Sequence, residues 1–261
     1  VKVVAVYSTK GGVGKTSAAV NLAWEAARTL RVLVWDLDAQ GAATFLLQVK
    51  PKLKGGVGSL VTGNSKVSRA IRSTGLSNID VLPADASYRE FDLVLDQAKK
   101  SEQRISKILE HVSDDYDVVI LDCPPGASLV AENAVYSSDA VVVPLVPSPL
   151  SMRSLDQVIE LVGASGSETT IVGFFSMVDR RKTQHRDTVA QLPARYPSVT
   201  SVVIPATVKV ELMGEKRAPL ASFAASSEAA LAYGDLWTRV HAAILPQSEK
   251  KPHKAPAKRK R

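Results

Sequence analysis

The sequence predicts an α/β protein, a doubly wound and mostly parallel sheet with helices on both faces, and three observations carry that expectation. Short β-branched apolar runs alternate with helical stretches along the chain, the pattern produced when crossovers cover both faces of a parallel sheet. A glycine-rich turn stands between the first run and the first helix. Two later runs end in aspartates, at the strand end where open α/β sheets bind ligands.

The elements follow in order. VVAVYS opens as a buried strand, and RVLVWDLD, NIDVLPA, YDVVILDCPP, DAVVVPLVPS, TTIVGFFSMV and VTSVVIPAT follow as further strands. Helical stretches begin near Lys15, Ser87, Ser101, Leu129, Leu150, Thr183 and Ser227, each long enough for a crossover. The body has no internal repeat and no linker, so residues 1–245 are expected to form one domain. Residues 246–261 hold seven Lys or Arg against Glu249 alone and carry +6 of the net +7. Without apolar anchors this stretch is expected to be a disordered basic tail, either a solubilising end or a contact for a polyanion.

Composition narrows the class. At 261 residues with 45% hydrophobic content, the chain can bury a sizeable core, which argues against a fibrous or disordered protein. Cys123 is the only cysteine, so no internal disulfide or CxxC pair can form, in keeping with a reducing compartment. No apolar run approaches the ~20 residues of a spanning helix, and VKVVAVYSTK lacks a secretory pattern. His111, His185, His241 and His253 lie too far apart for ligand spacing, which argues against zinc. Trp24, Trp35 and Trp237 fall within helix or strand patterns and are read as packing residues.

The turn after the first strand is Lys10, Gly11, Gly12, Val13, Gly14, Lys15, Thr16, followed by the helix SAAVNLAWEAAR. Glycines let successive backbone N–H groups converge on phosphate oxygens, and the helix N-terminus, through Ser17, adds partial positive charge. Lys15 is placed to bridge the β- and γ-phosphates of a nucleotide, and the Thr16 hydroxyl to ligate Mg²⁺. A glycine turn alone would report only tight packing; glycines with Lys-Thr at the helix start report a P-loop.

One position departs from the usual G-x-x-x-x-G-K-[ST] form, since Thr9 stands where its first glycine would be. The segment K-G-G-V-G-K-T is similar to the deviant Walker A motif of the ParA/MinD group of ATPases. The resemblance implies that Lys10 reaches across an ATP-bound homodimer to the partner's phosphates; the competing reading is a solvated loop lysine. A second cation there would offset charge that develops in phosphoryl transfer.

Further motifs extend the resemblance. Asp36-Leu-Asp38-Ala-Gln-Gly resembles the family's D-x-D-P-Q-G, with Ala39 in place of proline. It implies that Asp38 orients the attacking water and belongs, with Thr16 and Asp122, to the metal-holding set. Asp36 would support that shell or fix the loop, and Asp38 has a rival reading as an Asx-type cap for a helix from Gly41. Asp122, ending VVILD before Cys-Pro-Pro-Gly126, resembles the Walker B aspartate. Cys123 has no base in the motif and is read as a small buried residue. The stretch from Val203 through Pro205 to Lys209, and Met177 with its neighbours, resemble the family's adenine-side segments.

Taken together the resemblance implies an ATPase that uses ATP and Mg²⁺, slow without a partner, in the cytoplasm and on the nucleoid. The ATP homodimer would bind DNA non-specifically and position a plasmid, a chromosome locus or a large protein body. A ParB-like or cargo-adaptor protein would stimulate hydrolysis and release. Candidate phosphate contacts are Arg181, Lys182 and Arg186, beside Arg180, together with Lys209, Lys216 and Arg217 near the last strand; a solvated face is the alternative for each cluster. No helix-turn-helix precedes the P-loop, so operator binding is not expected. The C-terminus lacks the apolar face of a MinD-like membrane helix, and iron-carrier cysteines are missing. The competing classes are an ATP-dependent ligase or synthase of the same lineage and a MinD-like membrane-associated ATPase.

Overall fold

The computed structural model describes residues 1–245, so the basic-tail expectation lies outside the described residues. The strands are β1 (Lys2–Val6), β2 (Val32–Asp36), β3 (Arg72–Ser73), β4 (Ile79–Leu82), β5 (Val118–Asp122), β6 (Ala140–Leu145), β7 (Thr170–Val178) and β8 (Val199–Pro205). They form one eight-stranded sheet in the order β3-β4-β2-β5-β1-β6-β7-β8. Every neighbouring pair is parallel except β3 with β4.

The helices are α1 (Lys15–Ala26), α2 (Ala42–Leu46), α3 (Gly56–Val61), α4 (Val67–Ala70), α5 (Phe91–Asp96) and α6 (Arg104–Glu110), then α7 (Leu129–Tyr136), α8 (Pro149–Ala164), α9 (Thr183–Arg195), α10 (Val208–Lys216), α11 (Leu220–Ala224) and α12 (Glu228–Ile244). Two 3₁₀ turns, Ala86–Glu90 and Ser101–Gln103, lead into α5 and α6.

Strands β2, β5 and β6 are buried at every residue, the expected consequence of helices on both faces. Alternate side chains feed two cores. Val4, Val6, Val32, Val34 and Ile120 face α1 and α12, whereas Val3, Ala5, Leu33, Trp35, Val119 and Leu121 face the layer that includes α3 and α5 to α8. Ala18, Ala19, Ala23 and Ala26 make the buried face of α1 small, which lets the helix lie close under the sheet. Trp35 is fully buried with its indole N–H donated to the Tyr88 hydroxyl at 3.1 Å.

The expected sheet is present, with one strand more than the sequence announced. β3 is only Arg72-Ser73 and has no apolar residue to signal it. The glycine-rich window that forms α3 has low helix propensity, yet burial of Val57, Leu60 and Val61 against the core makes it helical. Lys209 and Lys216 lie on α10, a helix capped by the Thr207 hydroxyl accepting from the Lys209 N–H at 3.4 Å, and Arg217 is its C-cap residue.

Candidate active site

Beside β1 the strand order reverses, with β5 on one side and β6 on the other, and crevices of doubly wound folds form at such a switch point. The pairing aligns Val6, Asp122 and Asp36 across β1, β5 and β2. The P-loop therefore starts beside Asp122, and the Asp36-to-Asp38 turn starts just beyond it.

The loop takes the shape its glycines permit. Gly12 has φ +70° and Gly14 φ +91°, left-handed conformations that favour glycine. Gly14 is constrained twice, because a Cβ there would lie 3.0 Å from the Ser176 hydroxyl oxygen of β7. The neighbouring backbone is pinned as well: the Gly126 N–H donates to Thr9 O at 3.0 Å, and the Tyr7 hydroxyl donates to Gly126 O at 3.0 Å. Burial pushes the Tyr7 phenol up to about 12, so it stays a donor at neutral pH. Ser154 of α8 hydrogen-bonds the hydroxyls of Ser8 at 3.0 Å and Thr9 at 2.8 Å.

Lys15 is buried, with its Nζ on Lys10 O at 3.1 Å and Ser8 O at 3.4 Å. Burial lowers its pKa, and the charges of Asp122, Cys123 and Asp38 oppose that shift. Asp122 is buried with neither carboxylate oxygen hydrogen-bonded. Burial first and the Asp36 charge second hold its pKa well above the carboxylate range; Thr16 and Lys15 pull the other way. A buried carboxylate without partners is costly, and two free oxygens near a threonine hydroxyl suit a hard dication held directly or through water.

Asp36 is the loop-fixing group. Its Oδ2 accepts from the Thr44 backbone N–H at 2.8 Å and hydroxyl at 2.7 Å, and its Oδ1 from the Asp38 N–H at 3.2 Å. Burial still pushes it up to about 6 despite those bonds. Asp38 is half-exposed and its Oδ1 accepts from the Gln40 N–H at 2.9 Å, an Asx-type turn ahead of Gly41. That bond leaves Oδ2 available, so the capping and catalytic readings are compatible.

On the opposite flank, Met177 lies beside Ser176, and Val178 is in register with Pro205. Met177 is exposed with φ +54°, an unusual conformation for a non-glycine residue. Met177 and Pro205 thus end adjacent strands next to the Gly14 side of the P-loop.

The basic candidates fall into two groups on different elements. Lys182 and Arg186 are exposed at the start of α9. Arg181 pairs with Asp179 at 2.9 Å and holds that carboxyl down at about 2, while Arg180 pairs with Glu228. His185 is buried and its Nδ1 accepts from the Asp179 N–H at 3.0 Å, which fixes this turn. Lys209 and Lys216 are exposed on α10. Arg217 lies over the Phe45 ring at 4.5 Å and donates from Nε to Phe45 O at 3.0 Å, so α10 is clamped to α2. Among the described residues no group of three or more His, Cys, Asp and Glu side chains is placed to hold a metal ion.

Sequence reading missed Ser176, Tyr7 and Ser154, which act across long separations, and Thr44, which bonds Asp36 eight residues back. Only Thr44 had a local signal, as a hydroxyl residue one turn beyond the D-x-D-A-Q-G motif. Asn21 was missed too; it joins α1 to α11 by accepting from the Leu220 N–H at 2.8 Å.

A glycine nest at a helix N-terminus, a lysine within it and an orphaned strand-end aspartate define a P-loop phosphate-binding protein of the doubly wound class. The AAA_31 family model, an AAA domain, matches residues 1–170. The chain is 30% identical over 249 residues to the sporulation initiation inhibitor protein Soj of Bacillus subtilis, covering 92% of this chain and 98% of Soj. It is 31% identical to the chromosome partitioning protein ParA of Caulobacter vibrioides, over 80% and 82% of the two chains. Among solved structures it resembles cobyrinic acid a,c-diamide synthase of Mycobacterium smegmatis with bound ATP analogue and magnesium, at 26% identity and TM-score 0.76, covering 92% of this chain and 94% of that one. The chain belongs to the ParA/MinD family of P-loop ATPases.

Proposed function

We propose that this ATPase is a partition or positioning switch, with residues 1–245 as its ATPase domain. It forms a homodimer with ATP, holds DNA without sequence preference in that state, and is released after a ParB-like or cargo-borne partner stimulates hydrolysis. The observation that carries the nucleotide chemistry is the buried, partnerless Asp122 carboxylate beside the P-loop. Kinship with a chromosome partitioning protein supports the output.

In this reading the N–H groups from Gly11 to Ser17 bind phosphate oxygens, and the Lys15 ammonium turns from its loop carbonyls to the β- and γ-phosphates. Mg²⁺, held by Thr16, Asp122 and Asp38, would neutralise charge on those oxygens. Asp38 accepts a hydrogen bond from the attacking water, whose oxygen bonds to the γ-phosphorus as the bond to the β-phosphate oxygen breaks and ADP leaves. Lys10 contributes its charge across the dimer, and Met177 and Pro205 border the base. Lys182, Lys209 and Lys216 supply phosphate contacts; Arg181, Arg186 and Arg217 join them from side chains already engaged within the fold.

The test is binding to random-sequence duplex DNA with Mg-ATP, with Mg-ADP and without nucleotide, in a salt series, repeated after removing residues 246–261. ATP-specific binding that weakens steeply with salt and survives the truncation is expected. Failure of every state to bind refutes the DNA-track mechanism. A ligase or synthase is the second reading, favoured by the likeness to the diamide synthase; ATP turnover that depends on a carboxylate metabolite and ignores DNA would establish it. No helix among the described residues is long and apolar enough to cross a membrane.

A further inference from the structure

We infer that the cavity between α3, α4 and α6 is a second ligand site, for a small phosphomonoester that carries an apolar group. The cavity holds about 480 Å³, within the range of small-molecule sites. Leu60, Val67 and Ile108 give it an apolar side. Lys66, Arg104, Lys107 and His111 line the rest, with the hydroxyls of Ser65 and Ser68 beside them, and no carboxylate among the described residues lines it.

The imbalance begins in the sequence. Between Asp38 and Asp80 there is no acidic residue, while the same stretch carries Lys50, Lys52, Lys54, Lys66, Arg69 and Arg72. Arg104 adds a fixed cation. Its guanidinium is clamped by donation from Nη1 to Val61 O at 3.4 Å and from Nη2 to Lys99 O. Its Nε is closed off from solvent, so a ligand in the cavity would meet the charge of the group rather than that N–H. A dianionic oxyanion would face the cations and hydroxyls, while an apolar substituent would cover Leu60, Val67 and Ile108. The site lies on α3, α4 and α6, apart in the chain from the exposed basic groups of α9 and α10. None of its residues belongs to the P-loop.

The probe is phenyl phosphate, titrated calorimetrically into the full chain with the P-loop saturated by Mg-ADP. One saturable event per chain is expected, at least about tenfold weaker in Lys66→Gln/Lys107→Gln. Inorganic phosphate is expected to bind at least about tenfold more weakly than phenyl phosphate, because it leaves the apolar side uncovered. Thermal unfolding of the double variant at the parent temperature certifies its fold, and the single variants Lys66→Gln and Lys107→Gln repeat the measurement if it does not. Absence of saturation by about 10 mM, equal affinity in parent and variants, or displacement of the probe by random duplex DNA overturns the assignment.

Discussion

Replacing Gly14 by alanine probes the P-loop at the position where its geometry is most constrained. The residue has φ 91° and ψ 25°, and a left-handed conformation costs an L-residue about 1–2 kcal/mol. The added Cβ would also stand 3.0 Å from the Ser176 hydroxyl oxygen. Ser176 is buried, so it must yield by turning its side chain off its rotamer, at about 0.5–1.5 kcal/mol. Together these give a loss of about 1.5–3.5 kcal/mol, or roughly 3–6 °C in Tm for a chain of this size. Gly12 has φ +70° but open space around its Cβ position, so Gly12→Ala should lose only the conformational part. Thermal unfolding of Gly14→Ala, Gly12→Ala and the double variant Gly14→Ala/Ser176→Ala, compared with Ser176→Ala alone, separates the two contributions. The double variant should recover the contact part and keep the rest. A Gly14→Ala protein no less stable than Gly12→Ala, or indifferent to loss of the Ser176 hydroxyl, would refute the close-approach argument.

The remaining predictions concern charge. Asp38→Ala should bind ATP as the parent does but lose at least about 100-fold in turnover, whereas Lys15→Ala should lose both, as read by nucleotide titration and phosphate release; equal turnover by Asp38→Ala removes the water-orienting role. Lys10→Ala should keep monomer binding of ATP and lose the ATP dimer in light scattering, and a normal dimer would sink the cross-dimer assignment. Burial holds Asp122 and Asp36 above the carboxylate range, so the folded state resists their ionisation and stability without Mg²⁺ should fall as pH rises from the ordinary carboxylate value through the raised ones. Asp122→Asn should flatten that fall, and Mg²⁺ should protect only the parent at the upper end. Identical pH slopes in thermal unfolding with EDTA would contradict this origin.

The parts of the site visible in the sequence are those where chemistry is written into adjacent residues. Gly11 to Thr16 specify a backbone shape and its cation in six consecutive positions, and Asp122 follows a four-residue apolar run. Strands β2, β5 and β6 were equally legible, because burial on both faces leaves little but Val, Ile, Leu and similar residues. β3 was hidden, since antiparallel pairing with β4 rather than side-chain pattern creates it. The same holds for α3, where tertiary burial overrides glycine propensity. Ser176 and Ser154 reach the P-loop from β7 and α8, and no local spacing announces a contact made across the fold. Thr44 likewise has meaning only once β2 brings Asp36 beneath it.

The clamp between Arg217 and Phe45 gives the molecule a gear. Helix α2 is gripped at Thr44 by Asp36, in the turn that bears Asp38, and at Phe45 by Arg217, where α10 ends. Gln48, just beyond α2, donates to Arg217 O at 2.8 Å and adds a second tooth. The Asp36-to-Asp38 turn and the helix that carries Lys209 and Lys216 therefore cannot shift independently without stripping these contacts. Such meshing would let a displacement of atomic size at the phosphate end be delivered as a change in how the basic helix is presented.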